Sequence, residues 1–187
     1  MTRYSLLILI GLATLIALAA GMYYLNAPIS TEPSQKVVLT PDTPARLMIP
    51  VLDVDASVES VGRTRAGNMG SPTSSTGIAW FKEGARPGER GSAVVAGHLD
   101  NALGRSGVFK NLEKLQAGDE VLVETVSGET LRFRVVEMVI YPHNAAPDDL
   151  FTRADGSLLN LITCTGEWLQ EEKTYDGRLV VYTELVP

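Results

Sequence analysis

Beyond residue 45 the chain is dominated by alternation of apolar and polar side chains. Leu131, Phe133 and Val135 point one way while Arg132 and Arg134 point the other, the period-of-two signature of a half-buried strand. Comparable runs predict strands over residues 47–58, 92–96, 120–126, 158–163 and 179–185. Val126-Ser127-Gly128-Glu129 lies between two of them and has the composition of a hairpin turn. Pro50 interrupts the first run, which predicts either an edge position or a break there. Helical signal is sparse. Phe109, Leu112 and Leu115 recur every third residue, enough for a turn or two of helix before Ala117-Gly118-Asp119. Many short strands with glycine-rich turns and at most one or two short helices predict an all-β domain, either a closed barrel or a sandwich. The chain shows no internal repeat.

The N-terminal pattern is different. Residues 6–25 carry no charge, and Thr14, Tyr23 and Tyr24 hold their only polar side-chain groups. At about 1.5 Å per residue this stretch reaches roughly 30 Å, the thickness of a bilayer's hydrocarbon core. Arg3 precedes it and no basic residue follows before Lys36, so the positive-inside rule places residues 1–5 in the cytoplasm and the rest outside. The competing reading is a cleaved signal peptide, since Ala17-Leu18-Ala19 resembles a cleavage site. The apolar run continues past that point to Leu25, which favours an uncleaved transmembrane anchor. Residues 26–44 contain Pro28, Pro33, Pro41 and Pro44 among Ser, Thr and single charges, the composition of an extended tether. Residues 45–187 remain as one domain, long enough for a proper core. The net charge of −6 argues against nucleic acid or an anionic membrane surface as partner.

Candidate chemistry is concentrated in few residues. Cys164 is the chain's one cysteine and has no partner for an internal disulfide. The apolar Leu158-Leu159-Asn160-Leu161-Ile162 leads into it, which fits a buried, inert thiol. It also stands where that run gives way to Thr165-Gly166, a strand end where reactive groups sit. On the strand alone both readings stand. Of the two histidines, His98 follows the short apolar run Ala93-Val94-Val95-Ala96-Gly97 and precedes a polar loop, whereas His143 sits in the turn-like Tyr141-Pro142-His143-Asn144. Histidine is the usual proton carrier for a cysteine nucleophile. Arg178 opens the last predicted strand. If that strand pairs antiparallel with the one ending at Thr163, its guanidinium comes to the same sheet edge as Cys164, where it can hold a carbonyl or an oxyanion. One Cys and two distant His give no metal-ligand spacing, so no metal and no cofactor is expected.

Val95-Ala96-Gly97-His98, Leu161-Ile162-Thr163-Cys164 and Arg178-Leu179-Val180-Val181-Tyr182 resemble, in order, the His, Thr-Leu-x-Thr-Cys and Arg motifs of bacterial sortases. Leu47-Met48-Ile49-Pro50 with Val54-Asp55-Ala56-Ser57-Val58 resembles the opening strand of that fold. The likeness extends over residues 45–186 and is most similar to the class F group; the first motif threonine is Asn160 here. The resemblance implies a closed sortase-type β-barrel behind a single membrane anchor, with the catalytic domain outside the cell. It also implies a cysteine transpeptidase acting on secreted proteins that carry a C-terminal Leu-Pro-x-Thr-Gly-like signal. Cys164 would form the thioacyl intermediate, and His98 would protonate the leaving amine and deprotonate the incoming one. Arg178 would orient the signal and stabilise the oxyanion, and Thr163 would help position substrate. The acceptor would be an amine of a peptidoglycan precursor or a pilin lysine. Two rivals fit less well. An L,D-transpeptidase places His-Gly directly before its cysteine, where Ile162-Thr163 stands here. A non-catalytic tethered β-domain that binds wall or protein ligands would need Cys164 to be core.

Overall fold

The computed structural model describes residues 42–187 apart from Ala102, Ala146 and Asp148, so the expected span at 6–25 and most of the tether lie outside the described residues. Pro50 proves to be a break. A proline cannot donate to a ladder, and β1 (Pro44–Ile49) gives way there to a 3-10 turn at Pro50–Leu52. Asp53 closes the turn in the left-handed conformation (φ 54°), its N–H donating to Pro50 O at 3.2 Å. The chain then returns as β2 (Val54–Val61), antiparallel to β1 with Ile49 opposite Val54.

The remaining elements are β3 (Ile78–Phe81), β4 (Gly91–Gly97), β5 (Glu120–Thr125), β6 (Thr130–Pro142), a single helical turn α1 (Asp149–Thr152), β7 (Ser157–Leu169) and β8 (Thr174–Leu185). The eight strands close in the order β1-β2-β3-β4-β7-β8-β6-β5. Closure removes the free sheet edges that an open sheet would expose. The pairs β2/β3 and β4/β7 are parallel, and the other neighbours in the ring are antiparallel.

Alternation fills the barrel. Leu47, Ile49, Val121, Val123, Leu131, Phe133, Val135, Leu159, Leu161, Leu179 and Val181 all belong to one buried interior cluster. Phe109, Leu112 and Leu115 join that cluster, from one 3-10 turn at Leu112–Lys114 and its flanks. A repeat of three residues per turn brings side chains three apart onto one face. The turn or two of helix expected from this spacing is thus a single 3-10 turn.

β4, β7 and β8 read as near-continuous apolar runs because both of their faces are covered. Val94, Val180 and Tyr182 turn outward and pack with Phe81 and with Leu150 of α1 in a second cluster. Asn160 points the same way. It is fully buried, and its side-chain amide donates to Leu150 O at 2.8 Å, tying α1 to the outer face. The short Ile78-Ala79-Trp80-Phe81 strand was not among the predicted strands for the same reason: every residue is buried, so it shows no alternation.

Candidate active site

His98 follows β4 directly, and β4 runs parallel to β7 with Ala96 opposite Ile162. Parallel strands deliver their C-terminal ends to the same rim. The next position along is tied by Thr163 Oγ1, which donates to Gly97 O at 2.8 Å. His98 and Cys164 therefore come next in line on neighbouring strands. Across the other edge of β7, Cys164 is the register partner of Arg178 on β8. The antiparallel pairing on which the placement of Arg178 beside Cys164 was conditional is the one present.

Two details differ from the sequence reading. Cys164 is not at the end of its strand, nor does Arg178 open the last one: β7 and β8 run on to Leu169 and from Thr174 as a long hairpin. A bulge between Thr165 and Trp168 is what the Thr165-Gly166 signal encodes. Gly166 adopts φ +87°, and a Cβ there would lie 1.9 Å from Asp176 Oδ1, which accepts from Glu167 N–H at 2.8 Å. The hairpin rises beyond the rim and forms one wall of the site.

That wall, the loop after His98 and the segment around Thr73 enclose a cavity of about 750 Å³ lined by His98, Asp100, Cys164, Trp168 and Tyr175 among others. The His98 ring has a defined partner: Nε2 lies 2.9 Å from Pro72 O. A carbonyl oxygen only accepts, so Nε2 carries the proton and Nδ1 is the free base of the neutral ring. Pro72 is held through its neighbour. Glu59 Oε1 on β2 accepts from both Thr73 N–H (2.7 Å) and Thr73 Oγ1–H (2.9 Å). Nothing in the sequence connects Glu59 with His98; only the parallel placement of β2 beside β3 does. The loop after His98 depends on two glycines. A Cβ on Gly97 would lie 2.4 Å from the Phe109 ring, and one on Gly107 would lie 2.2 Å from His98 O.

The Cys164 thiol is half-buried, and burial pushes its pKa up. The Arg178 guanidinium draws it back down and the Asp100 carboxylate raises it further. Arg178 is braced: Nη1 donates to Tyr175 O (3.0 Å) and Gly177 O (2.8 Å), and Nη2 to Thr174 Oγ1 (2.8 Å). In this arrangement its fork holds the hairpin while its charge acts on the thiol. Thr163 is buried with its hydroxyl donating to Gly97 O, so it ties β7 beside Cys164 to the end of β4 beside His98. His143 stands elsewhere, in the turn after β6, with Nε2 2.7 Å from a Glu172 carboxylate oxygen. Sequence reasoning missed Asp100 and Tyr175. The Tyr175 hydroxyl donates to Asp100 Oδ2 and is pushed up to about 12 by that bond, so it remains a donor at any physiological pH. Among the described residues no group of three His, Cys, Asp or Glu could hold a metal ion.

A family model described as the Sortase domain matches residues 47–186. Solved structures that resemble the chain include sortase A from Corynebacterium diphtheriae, with 22% identity and a TM-score of 0.62, covering 79% of this chain and 62% of that one. Sortase C-1 from Actinomyces oris shares 26% identity at a TM-score of 0.62, covering 76% of this chain and 71% of that one. A Clostridium perfringens sortase D5 transpeptidase shares 25% identity at a TM-score of 0.58, over 78% of this chain and 80% of that one. The chain thus spans less than two thirds of the length of the C. diphtheriae protein. No curated protein sequence matches it.

Proposed function

This chain belongs to the sortase family, and we propose that it works as a cysteine transpeptidase with Cys164 as nucleophile, His98 as acid–base and Arg178 as the cation of the site. The observation that carries this reading is the alignment of His98, Cys164 and Arg178 on three adjacent strands at one rim, with His98 and Cys164 opening into one cavity. A lone thiol raised by burial is a poor nucleophile until its proton leaves. Transfer of that proton to Nδ1 of His98 gives a thiolate facing an imidazolium. Sγ then bonds to the scissile carbonyl carbon, and the charge passes to the carbonyl oxygen. When the C–N bond breaks, His98 returns the proton to the leaving amine, and a thioacyl on Cys164 remains beside a neutral imidazole. Arg178 favours the thiolate by charge, and could serve the oxyanion by exchanging one of its hairpin carbonyls for the substrate's.

By likeness to the family, the substrate is a secreted protein with a C-terminal Leu-Pro-x-Thr-Gly-like signal. The acceptor is an amine of cell-wall precursor or pilin, and the subclass is F. Residues 6–25 would anchor the enzyme in the membrane with the barrel outside. The test incubates the protein with a panel of sorting-signal peptides and candidate amines, read by mass spectrometry. A thioacyl adduct on Cys164 and an amide product, both absent in Cys164→Ala, are expected. Product formation that persists in Cys164→Ala would sink the assignment.

A further inference from the structure

Asp100 is out of place in a site built for a thiolate. It lines the same cavity as Cys164 and its charge raises the thiol's pKa, opposing the first half of the reaction. It is also held there deliberately by the fold. Its Oδ2 receives the Tyr175 hydroxyl from the β7–β8 hairpin, which fixes the carboxylate against the opposite wall. Its Oδ1 takes part in no hydrogen bond or ion pair among the described residues, and Lys173, the one Lys or Arg in the cavity lining, is not its ion-pair partner. A cavity-lining carboxylate oriented by a neutral donor, with no ion-pair partner among the described residues, suits a cationic ligand.

We propose that Asp100 is the docking point for the ammonium group of the acyl acceptor, with Tyr175 as the residue that orients it. This rests on the transpeptidase reading above. A primary amine is protonated in neutral water, so it must be recruited as a cation and attack as a neutral amine. Asp100 and His98 follow one another closely along the same loop and line one cavity, so the cation is gathered next to the base that deprotonates it. The bound ammonium gives one proton to the neutral His98 ring. Its lone pair then bonds to the thioester carbonyl, the C–S bond breaks, and Sγ takes a second proton as the amide forms. The proton on His98 passes to solvent.

The test uses the full-length protein, a sorting-signal peptide, and two acceptors in one tube: butylamine, a cation at neutral pH, and hydroxylamine, which is uncharged there. Both draw on a single thioacyl pool, so the ratio of their products is independent of acylation. Asp100→Asn keeps an oxygen for the Tyr175 hydroxyl but removes the charge. It is expected to lower the butylamine-to-hydroxylamine product ratio about tenfold or more, the scale of a lost charged hydrogen bond. In the unmodified protein, raising the salt concentration should lower the same ratio by screening. An unchanged ratio in Asp100→Asn overturns the proposal, and so does a ratio in the unmodified protein that is flat with salt. If the unmodified protein yields neither product nor thioacyl, the transpeptidase reading itself has failed, and this inference fails with it.

Discussion

At Cys164 three influences act on one proton: burial and Asp100 hold it on, and Arg178 draws it off. The thiolate should therefore appear only above the ordinary thiol range, and the pH profile of alkylation by a small thiol reagent should inflect there. Neutralising Arg178 (Arg178→Gln) should move the inflection to higher pH and Asp100→Asn to lower pH, because each removes one of the opposing charges. A midpoint that moves the other way in either variant would mean the charges act on something other than Cys164. Arg178→Lys keeps the charge and loses the planar fork that now serves Tyr175 O, Gly177 O and Thr174 Oγ1. Turnover is expected to fall by about 10²–10³, the usual effect of losing an oxyanion donor, and near-normal turnover would reduce the residue to its charge. For the histidines, His98→Ala should lose about 10²–10⁴ in rate, the typical weight of general acid–base catalysis. His143→Ala should cost little, since its ring pairs with Glu172 outside the cavity. The reverse order of damage would exchange their roles.

Elements matter through what they hold still. β2 reaches the site by way of Glu59, whose carboxylate accepts two hydrogen bonds from Thr73, while Pro72 O next to it accepts a hydrogen bond from His98 Nε2–H. Glu59→Ala should loosen that segment and lower turnover. Glu59→Gln retains an acceptor oxygen for both bonds and should restore most of the rate. If the two variants behave alike, the chain from Glu59 to His98 has no bearing on the chemistry. Gly97→Ala addresses the last residue of β4, next to His98. The added methyl would meet the Phe109 ring at 2.4 Å. Overpacking of this kind costs about 1–3 kcal/mol, so thermal unfolding should come several degrees lower, as calorimetry would register.

For the whole molecule, closure makes the first strand a member of the ring rather than a dispensable edge. β1 lies between β2 and β5, and the residues just ahead of it also take part: Val126 N–H donates to Thr43 O at 2.9 Å and Ser127 N–H to Asp42 Oδ2 at 3.1 Å. A chain that begins at Asp42 should therefore melt higher than one that begins at Ala45, which leaves those turn amides without partners. Net hydrogen-bond contributions of about 1 kcal/mol each set the scale. Equal melting temperatures would show that the hairpin turn of β5 and β6 is satisfied by solvent.

Strands such as β5 and β6 were legible because the barrel buries only one of their faces, and a period of two is written directly into residues such as Leu131, Phe133 and Val135. So were the family likeness and the candidate residues His98, Cys164 and Arg178, because each stands within a contiguous motif. What the sequence could not carry is anything set by pairing across distance. The Ile78–Phe81 strand hides because both faces are covered, and the hairpin runs past Cys164 because a bulge at Gly166 lets it bend without ending. Glu59, Asp100 and Tyr175 look like ordinary surface polar residues until parallel pairing and the β7–β8 hairpin bring them to one rim. A linear chain states which side chains are available. Which of them share a cavity, and therefore which charges act on one thiol, is decided only when the ring of strands closes.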